Sequence, residues 1–179
     1  DIFGSKTNLI EANKSALQLG YDYAKTNFIC PLPFTTKREN KTDGYIMIDG
    51  NATAALGCLY AGATVGAWYP ITPSTSLMDS FTSYCDFFRK DEATGKNKYA
   101  IIQAEDELAA IGIALGAGWN GSRSFTPTSG PGISLMSEFL GFGYYAEIPT
   151  VVFDVQRTGP STGMPTRTQQ GDILACAYA

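Results

Sequence analysis

From residue 44 onward the sequence alternates short apolar runs with segments of helical length, and few folds accommodate that pattern. Residues 45–48, 64–69, 99–103, 124–128 and 150–155 read as strands. Residues 52–61, 73–88, 105–118 and 130–145 read as helices, and a last helix follows Gly171. Thr72 is the expected N-cap of the second helix, with Pro73 at its first position. Strands that are apolar on both faces need helices on both sides. The expected class is therefore α/β: five β–α units in a parallel sheet flanked by helices. Ligands of such sheets sit beyond the carboxyl ends of the strands. Four polar segments project there, at residues 70–74, 104–107, 128–132 and 156–168.

Ahead of this region, residues 8–25 read as a helix with Leu9, Ala12, Ala16, Leu17, Leu19 and Tyr23 facing inward. Pro31, Pro33 and the run Lys37-Arg38-Glu39-Asn40-Lys41 mark linker chemistry. The expected organisation is a preceding segment over 1–26, a linker over 27–43 and an α/β domain over 44–179.

The 179 residues contain no histidine, which removes Ser–His and Cys–His triads, His-ligated zinc and imidazole acid–base chemistry. Proton transfer must use carboxylates, a bound cofactor or a partner subunit. With 13 Lys and Arg against 17 Asp and Glu, the net charge is −4, and no basic stripe is available for a phosphate backbone. Apolar runs are broken well before the ~18 residues that a membrane span needs. Cys30, Cys58, Cys85 and Cys176 form no C-x-x-C pair, so neither an iron–sulfur cluster nor zinc is expected on this chain. Unpaired thiols fit a reducing, cytoplasmic setting.

Several motifs admit two readings. Gly116-Ala117-Gly118-Trp119-Asn120-Gly121 matches G-x-G-x-x-G but ends a helix, where glycines stop it and permit close packing. Glu105-Asp106-Glu107 heads an alanine-rich helix. Its acids either favour the helix dipole or, for Glu107, enter a buried site where protonation is tunable. Arg157 ends a buried strand, placed either to fork onto a substrate carboxylate or to pair with a nearby acid. Thr128-Ser129-Gly130-Pro131-Gly132 is either an anion cradle of free amides or a capped turn.

Taken in order, Tyr69-Pro70-Ile71-Thr72-Pro73-Ser74, Gln103-Ala104-Glu105-Asp106-Glu107, Thr128-Ser129-Gly130-Pro131-Gly132 and Asp154-Val155-Gln156-Arg157-Thr158-Gly159-Pro160-Ser161-Thr162-Gly163-Met164-Pro165-Thr166 resemble the alpha subunit of the 2-oxoacid:ferredoxin oxidoreductases, most nearly the 2-oxoglutarate type. The resemblance covers residues 44–179. Residues 1–25 resemble the tail of the gamma domain that precedes alpha in many of these enzymes, so the chain is expected to be a fragment, truncated within its alpha domain.

The resemblance implies a thiamine-diphosphate-binding fold, here its pyrimidine-binding half. It implies oxidative decarboxylation of a 2-oxoacid to an acyl-coenzyme A, with electrons passed to ferredoxin. The beta subunit is expected to hold the diphosphate, its Mg2+ and the iron–sulfur cluster, and the chain to work only in that heterodimer. Glu107 is the implied catalytic acid, bonded to a ring nitrogen of the aminopyrimidine, because Gly116 follows nine residues later as in the family's glutamate helix; Glu105 is the alternative. Arg157 is implied to engage the substrate carboxylate or keto group, and Thr72 to line the pocket. Thr128, Ser129 and Gly130 are implied cofactor contacts. Ser129-Gly130-Pro131-Gly132 and Ser161-Thr162-Gly163 would shape the pocket, and Arg167 or Thr168 would touch a distal carboxylate. Trp68 departs from the pattern, which expects a small residue before Tyr69. Pyruvate or branched-chain 2-oxoacids remain alternative substrates, and a non-catalytic assembly domain is the alternative class.

Overall fold

A computed structural model describes residues 6–157, 159–163 and 171–178. It divides into two compact units, one up to Tyr45 and one from Ile46 onward. In the first, helix α1 (Thr7–Asn27) is closed at its end by the Phe28 N–H, which donates to the Ala24 carbonyl at 2.9 Å. The residues expected to face inward, from Leu9 to Tyr23, are all exposed. Periodicity locates an apolar stripe on a helix; it does not supply a surface to cover it.

The second unit begins with α2 (Gly50–Tyr60), whose start is capped by Asp49: its Oδ1 accepts the Ala52 N–H at 2.9 Å. There follow β1 (Val65–Trp68), α3 (Thr75–Phe88), β2 (Ala100–Gln103), α4 (Glu107–Trp119), β3 (Ser124–Thr128), α5 (Gly130–Tyr145), β4 (Val151–Asp154) and α6 (Ile173–Tyr178). The sheet is wholly parallel, in the order β2-β1-β3-β4. It has four strands, not five. Residues 45–48 are apolar but unpaired and exposed, Ile46 at 80%. An apolar tetrapeptide is no strand without a ladder to join, and among the described residues none is beside it.

Helices α2 and α3 cover one face over a core of Ala55, Leu59, Leu77, Met78, Phe81 and Phe125. Gly66 of β1 makes this packing possible, since a Cβ there would lie 2.7 Å from Met78 Cε. Helices α4 and α5 pack together over Ala110, Ile111, Leu115 and Met136. The glycine motif at 116–121 does end α4: Gly121 adopts φ 86°, and Gly118 lies against Ile148. Thr72 does not cap α3. Ser74 takes that place, and both its N–H and its hydroxyl donate to the Ile71 carbonyl, at 2.8 and 2.9 Å.

Strands β1 and β3 pair only at Val65–Ser124 and Gly66–Phe125, whereas β3 and β4 stay paired to Thr128–Asp154. Pro127 in β3 has no N–H to donate, and the β1–β3 ladder ends two residues before it. No described helix is long and apolar enough to cross a membrane.

Phe125 meets the Phe81 ring edge-on at 4.8 Å and the Phe153 ring at 5.8 Å. Phe125→Ala is expected to destabilise the fold by about 3–5 kcal/mol, read from urea denaturation.

Candidate active site

The chain leaves β1 for β2 on one side and returns for β3 on the other. That reversal opens a crevice beyond the carboxyl ends of β1 and β3. Helix α4 follows the edge strand β2 but packs across β1 and β3, which carries its first residue inward. The three acids there separate cleanly. Glu105 is exposed. Asp106 caps the helix, its Oδ1 accepting the Ala109 N–H at 2.7 Å. Glu107 is buried, at 5% exposure, and is not needed for capping.

Glu107 sits against Thr128 and Gly132: a Cβ on Gly132 would overlap Thr128 Oγ1 and lie 2.8 Å from Glu107 Cγ. Thr128 and Ser129 are fully buried. Ser129 is the N-cap of α5 yet makes no capping bond, and its Oγ has no partner among the described residues. A buried hydroxyl without a partner costs about 1–3 kcal/mol, so this one is placed for something other than stability.

Arg157 lies on the opposite side of the same turn. Its Nη1 donates to the Thr72 carbonyl at 3.0 Å, its Nη2 donates to Ser161 Oγ at 2.9 Å, and its buried Nε has no partner among the described residues. Thr72 is thus brought to Arg157 through its carbonyl, with the residue itself exposed at the rim. Among the described residues no carboxylate forms a salt bridge with Arg157, which is 5% exposed. The nearby acid, Asp172, accepts the Arg157 backbone N–H at 3.1 Å instead. A Cβ on Gly130 would overlap the Arg157 carbonyl and lie 2.8 Å from Asp172 Oδ2. The first turn of α5 therefore touches both groups, Glu107 through Gly132 and Arg157 through Gly130. Beside it lies a cavity of about 530 Å3 lined by Pro131, Ser134, Gly159, Ser161 and Asp172.

Asp154 closes β4. Burial pushes its carboxyl up to about 6; the Cys176 thiol, 3.3 Å from Oδ2, pulls it down, and the negative charge of Asp172 raises it further. Its Oδ1 is buried without a partner among the described residues.

Trp68, half-buried at the end of β1, packs on the α2–α3 core. Arg167 and Thr168 lie outside the described residues. Among the described residues no group of three or more His, Cys, Asp or Glu side chains is placed to hold a metal ion. A larger cavity, about 730 Å3, opens at the other end of the sheet beside Ser124 and Val151, away from Glu107 and Arg157. Gly132 stands within the segment expected to shape the pocket, whereas no sequence signal pointed to Asp172. Asp154 had a signal, as the lone acid ending an apolar strand.

Residues 56–178 match the family described as pyruvate flavodoxin/ferredoxin oxidoreductase, thiamine diP-bdg. The chain is 38% identical over 182 residues to the 2-oxoglutarate oxidoreductase subunit KorA of Mycobacterium tuberculosis, covering 98% of this chain and 26% of that protein. It is 44% identical over 131 residues to the 2-oxoglutarate synthase subunit KorA of Methanocaldococcus jannaschii, covering 73% of this chain and 33% of that protein. The solved 2-oxoglutarate:ferredoxin oxidoreductase of Magnetococcus marinus, with 2-oxoglutarate, coenzyme A and succinyl-CoA bound, superposes with a TM-score of 0.71 at 36% identity. That match covers 97% of this chain and 29% of the other. The chain thus spans about a quarter to a third of the length of these relatives.

Folded Asp154 keeps its proton to higher pH than an unfolded carboxyl does. Its contribution to stability is present at low pH and lost as pH rises through about 6. Asp154→Asn is expected to melt higher than the wild type at about pH 8 and alike at about pH 4, measured by thermal denaturation.

Proposed function

Because this chain belongs to the thiamine-diphosphate-binding family of pyruvate flavodoxin/ferredoxin oxidoreductases, we propose that it is the pyrimidine-binding part of the alpha subunit of a 2-oxoacid:ferredoxin oxidoreductase, acting on 2-oxoglutarate. One observation carries this reading: a buried guanidinium that meets no counter-ion among the described residues, packed against the same turn of α5 as a buried carboxyl that caps nothing. A fixed cation without a partner is the complement of an anionic substrate. The substrate named for the relatives supports 2-oxoglutarate over pyruvate or branched-chain 2-oxoacids.

The residues present fit the pyrimidine half of the cofactor. Glu107 offers a carboxyl at a buried position, where it holds a proton toward a ring nitrogen. Thr128 lies beside it across Gly132, and Ser129, whose hydroxyl has no partner among the described residues, and Gly130 continue the wall toward Arg157. Thiamine diphosphate, when bound, supplies the carbon nucleophile for the keto group and the electron sink for decarboxylation. Arg157 takes the substrate carboxylate through the N–H groups that Thr72 and Ser161 leave free, and the two acceptors hold the fork in place. Thr72 forms the rim, and Ser161-Thr162-Gly163 the wall beside Arg157. Arg167 or Thr168 would meet the distal carboxylate of 2-oxoglutarate.

The rest of the reaction is assigned to partners. A beta subunit holds the diphosphate, Mg2+ and the iron–sulfur cluster; coenzyme A accepts the acyl group, and ferredoxin the electrons, in the cytoplasm. Residues 1–26 are read as the tail of a gamma-like domain, joined by the linker over 27–43 to the pyrimidine-binding domain.

The assembled enzyme tests this reading by 2-oxoglutarate-dependent ferredoxin reduction. Glu107→Gln is expected to lose about 10²–10⁴ in kcat, and Glu105→Gln to stay near wild type. Arg157→Met is expected to raise KM for 2-oxoglutarate by at least about tenfold. Full activity of Glu107→Gln, or no gain on adding this chain to the beta subunit, would sink it.

A further inference from the structure

An arginine held by neutral acceptors is only as well aimed as those acceptors are fixed. Among the described residues the Arg157 guanidinium has two, the Ser161 hydroxyl and the Thr72 carbonyl. Thr72 looks a poor anchor. It is exposed, it lies in the turn between β1 and α3, and it is 85 residues from Arg157 along the chain. A loop carbonyl orients a guanidinium only where the loop itself is ordered.

Bonds within the turn tie it only to itself. The N–H and hydroxyl of Ser74 and the N–H and hydroxyl of Thr75 all end on the Ile71 carbonyl, at 2.8, 2.9, 3.3 and 3.4 Å. The tie to a second element comes from α2. Asn51 Nδ2 donates to the Pro73 carbonyl at 3.0 Å and to the Ser76 hydroxyl at 2.8 Å. One amide nitrogen thus grips both the turn and the start of α3. Its orientation is set by the same contacts, since the reverse would place the amide oxygen against the Pro73 carbonyl. Asn51 is itself held, as the half-buried second residue of α2. Asp49 caps that helix through the Ala52 N–H at 2.9 Å, and its carbonyl takes the Thr53 N–H and hydroxyl at 3.0 and 2.9 Å. A chain of bonds therefore runs from α2 to the guanidinium: Asn51 to the Pro73 carbonyl, and the Thr72 carbonyl to Arg157 Nη1. The proline ring between the two carbonyls fixes φ, so placing one goes far to place the other.

We propose that Asn51 is a positioning residue for Arg157: its side-chain amide fixes the turn whose Thr72 carbonyl aims the guanidinium at the substrate carboxylate. The proposal rests on the reading of Arg157 as the group that takes that carboxylate. It gives Asn51 no contact with substrate or cofactor. A neutral amide suits the task, because an acid bonded to the guanidinium would compete with the incoming anion. Without the amide the turn can drift, and Arg157 keeps only Ser161 as a fixed acceptor. Substrate binding then suffers before turnover does, since a bound carboxylate restores the order that the guanidinium has lost.

The test uses the assembled alpha–beta enzyme and the steady-state kinetics of 2-oxoglutarate-dependent ferredoxin reduction. Asn51→Ala removes the donor and adds no charge. Asn51→Asp keeps the shape and replaces the donor by an oxygen. Both are expected to raise KM for 2-oxoglutarate at least about fivefold while kcat changes less than about twofold. In an Arg157→Met enzyme the aimed group is gone, so adding either variant should change KM less than about twofold. Wild-type KM in Asn51→Ala overturns the proposal, and a rise in Asn51→Asp alone reports only its new charge. A fall in kcat at unchanged KM also overturns it, as does an effect that persists in full beside Arg157→Met. If Asn51→Ala does not fold, Asn51→Asp with and without Arg157→Met still decides, because repulsion by a new charge would survive the loss of Arg157 and a positioning effect would not. An Arg157→Met enzyme with unchanged KM would instead defeat the reading of Arg157 itself, and the two failures are thereby told apart.

Discussion

The first turn of α5 approaches the strand ends more closely than any side chain would allow. Gly130 lies against the Arg157 carbonyl and Asp172, and Gly132 against Thr128 and Glu107. Glu107 follows one edge strand, and Arg157 follows the other. Left to themselves, segments from opposite edges of a sheet stay apart. They meet here because α4 crosses back over the sheet and because two glycines let one helix end press on both. The turn between those glycines is the common wall of everything proposed for this molecule.

The distribution of charge is equally pointed. The ion pairs among the described residues, Lys14–Glu11, Lys41–Glu39, Lys90–Asp86 and Lys98–Asp91, lie at the surface, where such pairs contribute little. Among the described residues, the buried Glu107, Arg157 and Asp172 form no ion pair. Arg157 rests on a carbonyl and a hydroxyl. A fold selected only for stability would reverse this arrangement, since an uncompensated buried charge costs several kcal/mol. Unsatisfied groups gathered in one crevice are what a binding site looks like before its ligand arrives.

Strand 124–128 and helix 130–145 fall where the residues put them, because Ser129-Gly130-Pro131 punctuates the junction as plainly as turn chemistry can. Elsewhere local signals misled. Residues 45–48 have the composition of a strand and no ladder; α1 has an apolar stripe and exposed side chains; Thr72 and Pro73 look like a helix start, but α3 begins at Thr75. In each case propensity described what a segment favours and not what lies beside it. The positions of the site followed the same division. Glu107, Thr128, Ser129, Gly130 and Arg157 were legible as residues at strand ends. That Glu105 is exposed and Glu107 buried was not, because the two acids differ by only two positions in sequence.

The order of apolar runs and turn residues by itself determined a parallel α/β layer with its polar loops at one end, and the missing histidine by itself determined which chemistries that end would lack. Only the tertiary structure decided that Arg157 meets no counter-ion among the described residues, that Asp172 accepts its backbone N–H, and that the Cys176 thiol reaches Asp154. Those facts depend on which oxygen lies within about 3 Å of which donor. A one-dimensional pattern carries no such distance; only the packing of α5 and α6 against the ends of β3 and β4 creates it.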